Sequence, residues 1–237
     1  QKGRTAIHSE AERSSVSFAE LGERIPAWID ALRRAGVAPG QMAALAVGNV
    51  IAFPELFFAL RGLGAAVMAL DADLSDEAAS TVASRMGCSW VVDRPSSGPG
   101  FSGAPDPAVR LRPVRPEAAL VKLTSGSTLD PRGACFTEEA LLEGIDHILR
   151  GMEISSGDRI LIAIPLSHSY GFDSGVLSLA AGGTPLVLQQ DVLPGALLKT
   201  MREREITFFP AVPALVRALG RVAWPAKTAL RRAICAS

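Results

Sequence analysis

Cysteine and histidine are sparse in this chain of 237 residues. Its three cysteines (Cys88, Cys135, Cys235) are far apart and odd in number, and its three histidines (His8, His147, His168) are equally scattered. That scatter leaves no readable zinc site, and a reducing cytoplasm is the simplest compartment. An excess of one charge is also missing: Lys+Arg and Asp+Glu each count 24, for a formal net charge of +0. A nucleic-acid binder working by bulk electrostatics carries a basic excess, so no nucleic-acid partner is expected. Lysine is scarce beside arginine, which with the abundant alanine reads as a compositional habit and not a phosphate patch. No clean apolar run reaches the ~20 residues that a membrane span needs. The most apolar stretch, 50–70, is broken by Glu55 and Arg61 and holds Pro54, Gly62 and Gly64, with Asn49 at its edge. It reads as a buried helix. The first residues, Gln1-Lys2-Gly3-Arg4, carry no signal-peptide core, and a soluble protein is expected.

What is present is enough apolar material for a large core. At 48% hydrophobic and 20% charged, the chain is excluded from global disorder. Phe18, Leu21, Ile25, Trp28, Ile29 and Leu32 fall on one face of a helix over 17–36. Short apolar runs at 42–47, 65–70 and 88–92 read as buried strands. Helices at 54–64 and 75–86 separate them, the second capped by Ser75. This alternation predicts an α/β fold of layered, mostly parallel sheets with flanking helices. Proline, glycine and serine dominate 93–116, which reads as a subdomain connection. Further strands are expected at 118–123, 159–164, 186–188 and 206–209, with a last apolar run at 230–235. Helices are expected at 137–151, after Gly171, at 194–203 and at 212–220. The expected organisation is a first α/β subdomain over 1–93, a connection over 94–116 and a second subdomain over 117–237.

Chemistry concentrates in Leu123-Thr124-Ser125-Gly126-Ser127-Thr128-Leu129-Asp130-Pro131-Arg132-Gly133, between an apolar strand and an expected helix. Hydroxyls around one glycine, with a cation shortly after, suit a polyphosphate: small residues let backbone N–H groups approach and the cation offsets charge. By composition alone, a polar surface turn is the commoner meaning of such a cluster. It is not a Walker A loop, because six residues separate Gly126 from Gly133 and no lysine follows. Gly62-Leu63-Gly64-Ala65-Ala66-Val67 begins like a dinucleotide fingerprint, but Val67 fills the small-residue position and the preceding segment reads as helix. Ser167 and His168 are adjacent, a poor arrangement for nucleophile and base.

Residue order adds to this reading. Thr124 to Thr128 followed by Pro131-Arg132-Gly133 closely resembles the phosphate loop of the adenylate-forming superfamily, which includes acyl-CoA synthetases, aryl-CoA ligases, luciferases and peptide-synthetase adenylation domains. Gly157-Asp158-Arg159-Ile160-Leu161 leading into Pro165-Leu166-Ser167-His168-Ser169-Tyr170-Gly171 resembles a second block of that family. Thr207-Phe208-Phe209-Pro210-Ala211-Val212-Pro213 resembles a later strand–helix junction, and 230–237 the strand before the adenine loop. The resemblance implies the N-terminal domain of such an enzyme, incomplete here. It implies that Thr124, Ser125, Gly126, Ser127, Thr128, Arg132 and Gly133 hold the β- and γ-phosphates of ATP with Mg²⁺. It implies that His168, Tyr170 and Gly171 border the pocket of a carboxylic acid, Gly171 by leaving room for it, with CoA as acceptor and fatty acid metabolism as setting. No catalytic and no metal-ligating residue is assigned. Leu129 stands where the family has glycine, and Arg132 where it has lysine. The family's adenine loop, its aromatic-Gly-x-Thr-Glu block, its ribose-binding Asp and its C-terminal lysine do not occur in these residues. The chain therefore reads as a front portion, inactive as a ligase alone, and the alternative is a non-catalytic nucleotide-binding or scaffold protein that keeps the fold.

Overall fold

A hairpin that the apolar pattern does not announce opens the chain: β1 (Thr5–Ser9) and β2 (Ser14–Ser17) pair antiparallel. Serine and charge dominate this segment, and its buried apolar residues are Ala6, Ile7 and Val16. The computed structural model describes residues 3–93, 101–102, 117–123 and 132–236, the pair 101–102 by backbone alone. Next come α1 (Phe18–Ala35), β3 (Met42–Ala46), α2 (Ala52–Gly62), β4 (Ala66–Ala69), α3 (Asp76–Met86), β5 (Trp90–Asp93) and β6 (Phe101–Ser102). Then follow β7 (Ala118–Leu123), β8 (Gly133–Thr137), α4 (Glu138–Gly151), β9 (Ile160–Ile162), α5 (Ser169–Phe172), a π-helical turn (Asp173–Leu177) and α6 (Ser178–Gly182). β10 (Leu186–Leu188), α7 (Pro194–Glu203), β11 (Phe208–Ala211), α8 (Pro213–Leu219) and β12 (Arg232–Cys235) complete the order. The architecture is α/β with largely parallel sheets, as the alternation of runs predicts.

These elements form two compact units that are discontinuous in sequence: residues 1–19, 49–51 and 142–237 in one, 20–48 and 52–141 in the other. The sequence reading divides the chain continuously, at 93 and 117. Strand pairing makes the difference. β7 joins β4 in parallel and stays with the sheet of the preceding strands, while β1 pairs with β10 far along the chain.

In the unit of residues 20–48 and 52–141 the sheet order is β6-β5-β3-β4-β7-β8. β5, β3, β4 and β7 are parallel, and β6 and β8 close the edges antiparallel. β3 and β4 are buried at every residue, which is why they read as unbroken apolar runs. Met42, Ala44, Ala46, Ala66 and Met68 pack against Ala79, Val82 and Ala83 of α3. The Ala78 N–H donates to Ser75 Oγ at 3.2 Å, the predicted cap of that helix. β6 takes two residues of the expected connection into the sheet; the rest of 94–116 lies outside the described residues. α2 ends at Gly62 and β4 begins at Ala66, a helix-to-strand order opposite to a dinucleotide fingerprint.

The other unit has the order β12-β11-β9-β10-β1-β2, parallel throughout except for the edge strand β2. Its core joins Leu161, Ala163, Val187, Phe209 and Ala211 to Leu197 and Met201 of α7. β11 begins two residues later than the apolar run suggests and includes Pro210. Its ladder with β9 is the pair Phe208↔Ile160, while it follows β12 through Ala211↔Cys235. Pro210, with no N–H to give, is accommodated where β9 and β11 have parted.

Candidate functional site

Among the expected phosphate-binding residues, Arg132 and Gly133 are described; Thr124, Ser125, Gly126, Ser127 and Thr128 lie outside the described residues, as does Leu129. β7 and β8 are antiparallel neighbours with Leu123 opposite Gly133 and Val121 opposite Cys135. The segment between them therefore joins two strands and not a strand and a helix, and α4 starts only at Glu138. β8 escapes sequence reading because Gly133, Ala134 and Cys135 are exposed and show no alternation. Arg132 is exposed where the hairpin returns. A Cβ on Gly133 would lie 2.6 Å from Val121 Cγ1 and 2.9 Å from Met86 Cε, so the missing side chain admits close packing at the start of β8. Lys122 Nζ lies 4.8 Å from the centre of the Phe136 ring, a second cation on the strand that leads into 124–131.

His168, Tyr170 and Gly171 belong to the unit of residues 142–237, after the carboxyl end of β9. Open α/β sheets place ligands at such strand ends. His168 is exposed and precedes α5 in an extended conformation, φ −84 and ψ 143. Its N–H donates to Pro165 O at 3.1 Å, and its own carbonyl accepts from the Phe172 N–H at 2.8 Å. Tyr170 is half-buried, and its hydroxyl donates to Ile234 O at 3.2 Å, at the end of β12. Burial pushes this phenol up to about 12 against an opposing backbone hydrogen bond at Ala211, so it stays a donor at neutral pH. The π-helical turn that follows α5 is a form concentrated at functional sites.

Gly171 corrects one expectation. It is buried, and a Cβ there would lie 2.3 Å from Pro165 O and 3.1 Å from Ile164 O. Its absent side chain is taken up by the backbone of residues 164–165 and not by space for a substrate. Asn49, in the sequence only an edge residue of the 50–70 apolar stretch, holds the same backbone from another direction through its side chain.

Asp158, at the start of the second motif block, is 6% exposed at its side chain. The Ser155 N–H (2.9 Å) and Thr207 Oγ1 (2.8 Å) donate to it, and Arg231 Nη2 lies 2.9 and 3.0 Å from its two oxygens. Burial alone would raise its pKa, but these donors and the Arg231 charge outweigh it and hold the carboxyl below its ordinary 3.8. The group ties β9 to the segment entering β12 and is structural. Among the described residues no three His, Cys, Asp or Glu side chains converge on a possible metal position. No described helix is long and apolar enough to cross a membrane.

The family model described as AMP-binding enzyme matches residues 1–236. A feruloyl-CoA synthase from Amycolatopsis sp is 26% identical over 238 aligned residues, covering 92% of this chain and 48% of that protein. The chain thus spans about half the length of the curated relative it matches. Among solved structures, o-succinylbenzoate CoA synthetase from Bacillus subtilis with its acyl-adenylate superposes at a TM-score of 0.83 with 22% identity, over 99% of this chain and 65% of that one. The same synthetase in complex with ATP and magnesium gives a TM-score of 0.79 and 21% identity over 98% of this chain and 66% of that one.

Proposed function

The chain belongs to the AMP-binding enzyme family, and from that membership we propose that it is part of an ATP-dependent, AMP-forming ligase that joins a carboxylic acid to a thiol, with CoA as the acceptor. The observation that carries the reading is the family match along the whole chain, with the hydroxyl-rich 124–128 segment and the strand-end pair His168 and Tyr170 in their family order. In the first half-reaction a carboxylate oxygen attacks the α-phosphorus of ATP. The bond to the β-phosphate oxygen breaks, and diphosphate leaves. The thiol then attacks the acyl carbonyl and AMP departs.

The chain's own residues act on charge and position. The hydroxyls and N–H groups of Thr124, Ser125, Gly126, Ser127 and Thr128 donate to the β- and γ-phosphates, and Arg132 adds a planar two-pronged donor to the leaving diphosphate. Gly133 contributes by letting β8 start close to Val121 and Met86. His168 and Tyr170 border the acid pocket, with Tyr170 fixed as a hydrogen-bond donor to Ile234. Mg²⁺ supplies charge neutralisation on the triphosphate when bound. The described residues offer it no cluster of three carboxylate, histidine or cysteine side chains.

The test is exchange of labelled diphosphate into ATP by the protein that contains this chain, across fatty and aromatic acids. Acid-dependent exchange is expected, and none from a folded protein across the panel would sink the reading. Arg132→Ala should weaken ATP use by about 1.5–3 kcal/mol with acid preference unchanged. His168→Ala should move acid preference or the carboxylate KM more than the KM for ATP.

A further inference from the structure

We propose that Asn49 is a positioning residue for the acid-binding loop, gripping the backbone on both sides of Pro165 and so fixing where His168 and Tyr170 stand. Its side-chain Nδ2 donates to Ile164 O at 3.0 Å, and the Leu166 N–H donates to its Oδ1 at 2.7 Å. One carboxamide thus meets the C=O of one residue and the N–H of the next but one, the pair of contacts that a neighbouring strand would make. The strand itself stops short: β9 ends at Ile162, whose carbonyl accepts from the Gln189 N–H at 2.9 Å. Asn49 takes over where the ladder ends. Pro165 between the two contacts has no N–H and faces Gly171, which approaches its carbonyl too closely to carry a side chain. The loop is thereby held from two directions immediately before His168.

The clamp is itself tethered. Asn49 is 8% exposed, Gln190 Nε2 donates to its backbone carbonyl at 3.2 Å, and the Ile51 N–H donates to Glu12 Oε2 at 2.9 Å. Two buried backbone groups depend on this amide, and removing it leaves an N–H and a C=O to find new partners by moving the loop. Hydrophobic packing of the unit does not need an amide at this position; the direction of 164–168 does.

The inference rests on the reading of His168 and Tyr170 as acid-pocket residues, and the experiment separates the two. Amide hydrogen exchange of the segment around Leu166 tests the clamp without any substrate. In the unaltered protein Leu166 should be protected, and in Asn49→Ala it should exchange about tenfold faster or more. Asn49→Asp keeps the acceptor for Leu166 but loses the donor to Ile164, so its protection should lie between. Diphosphate-exchange kinetics of the full-length protein then read the consequence: a carboxylate KM raised about tenfold or more, a changed ranking of acids, and an unchanged KM for ATP. An unprotected Leu166 in the unaltered protein overturns the clamp, even if Asn49→Ala does not fold. Faster exchange at Leu166 with the ranking of acids intact overturns the positioning role. Unaltered protein that shows no acid-dependent exchange overturns the ligase reading and the substrate half of this inference, while the Leu166 result still decides the clamp.

Discussion

At Asp158 one carboxylate gathers a backbone N–H, a threonine hydroxyl and a guanidinium. Its folded pKa lies below the ordinary 3.8, so the folded state prefers the ionised form more than the unfolded chain does. That preference contributes stability above pH 3.8, and the contribution is lost as pH falls through the lower, folded value. Asp158→Asn should therefore destabilise by about 1–3 kcal/mol at pH 7, and the gap from the unaltered protein should narrow in acid. Urea unfolding at several pH values measures it; a gap that is constant down to pH 3 would contradict the assignment. The Gly157-Asp158-Arg159 motif was visible in the sequence, but its partners were not, because Thr207 and Arg231 lie 49 and 73 positions away. Asn49 escaped for the same reason, being 115 positions from Ile164.

Among the elements, α1 and α2 share a buried polar contact. Glu55 of α2 is 0% exposed at its side chain, Arg24 Nε lies 3.1 Å from Oε1, and Trp28 Nε1 donates to Oε2 at 2.9 Å. Arg24 is 49% exposed, so the two ends of the pair are unequal. Arg24→Met strands a buried carboxylate without this cation and should cost toward the low end of about 3–5 kcal/mol. Glu55→Gln leaves Arg24 in water and Trp28 with an amide oxygen to meet, and should cost only about 1–2 kcal/mol. Chemical denaturation of the two variants ranks them, and the reverse order would show that water reaches Glu55 freely. Elements whose burial is one-sided or complete were readable: α1 from its apolar face, β3 and β4 from their unbroken runs, α3 from Ser75. Those that alternate weakly were not. β1, β2 and β8 draw their pairing from distant or turn-linked partners, and their short sequences carry serine, charge or exposed small residues instead of a period.

For the whole molecule, sheet pairing joins segments that lie far apart in the sequence. The pairing of β1 with β10 bears on how such a chain is made. Ile7 sits opposite Leu186, and the Arg4 guanidinium holds the carbonyls of Ser156 and Gly183. A ribosome adding ~5–20 residues each second releases Ile7 roughly 10–35 s before its partner strand exists. Meanwhile β3, β4, β5 and β7 can close the other sheet among themselves. β1, made long before its partner strand, is thus seated late, and for that interval its segment stays exposed to proteases and chaperones.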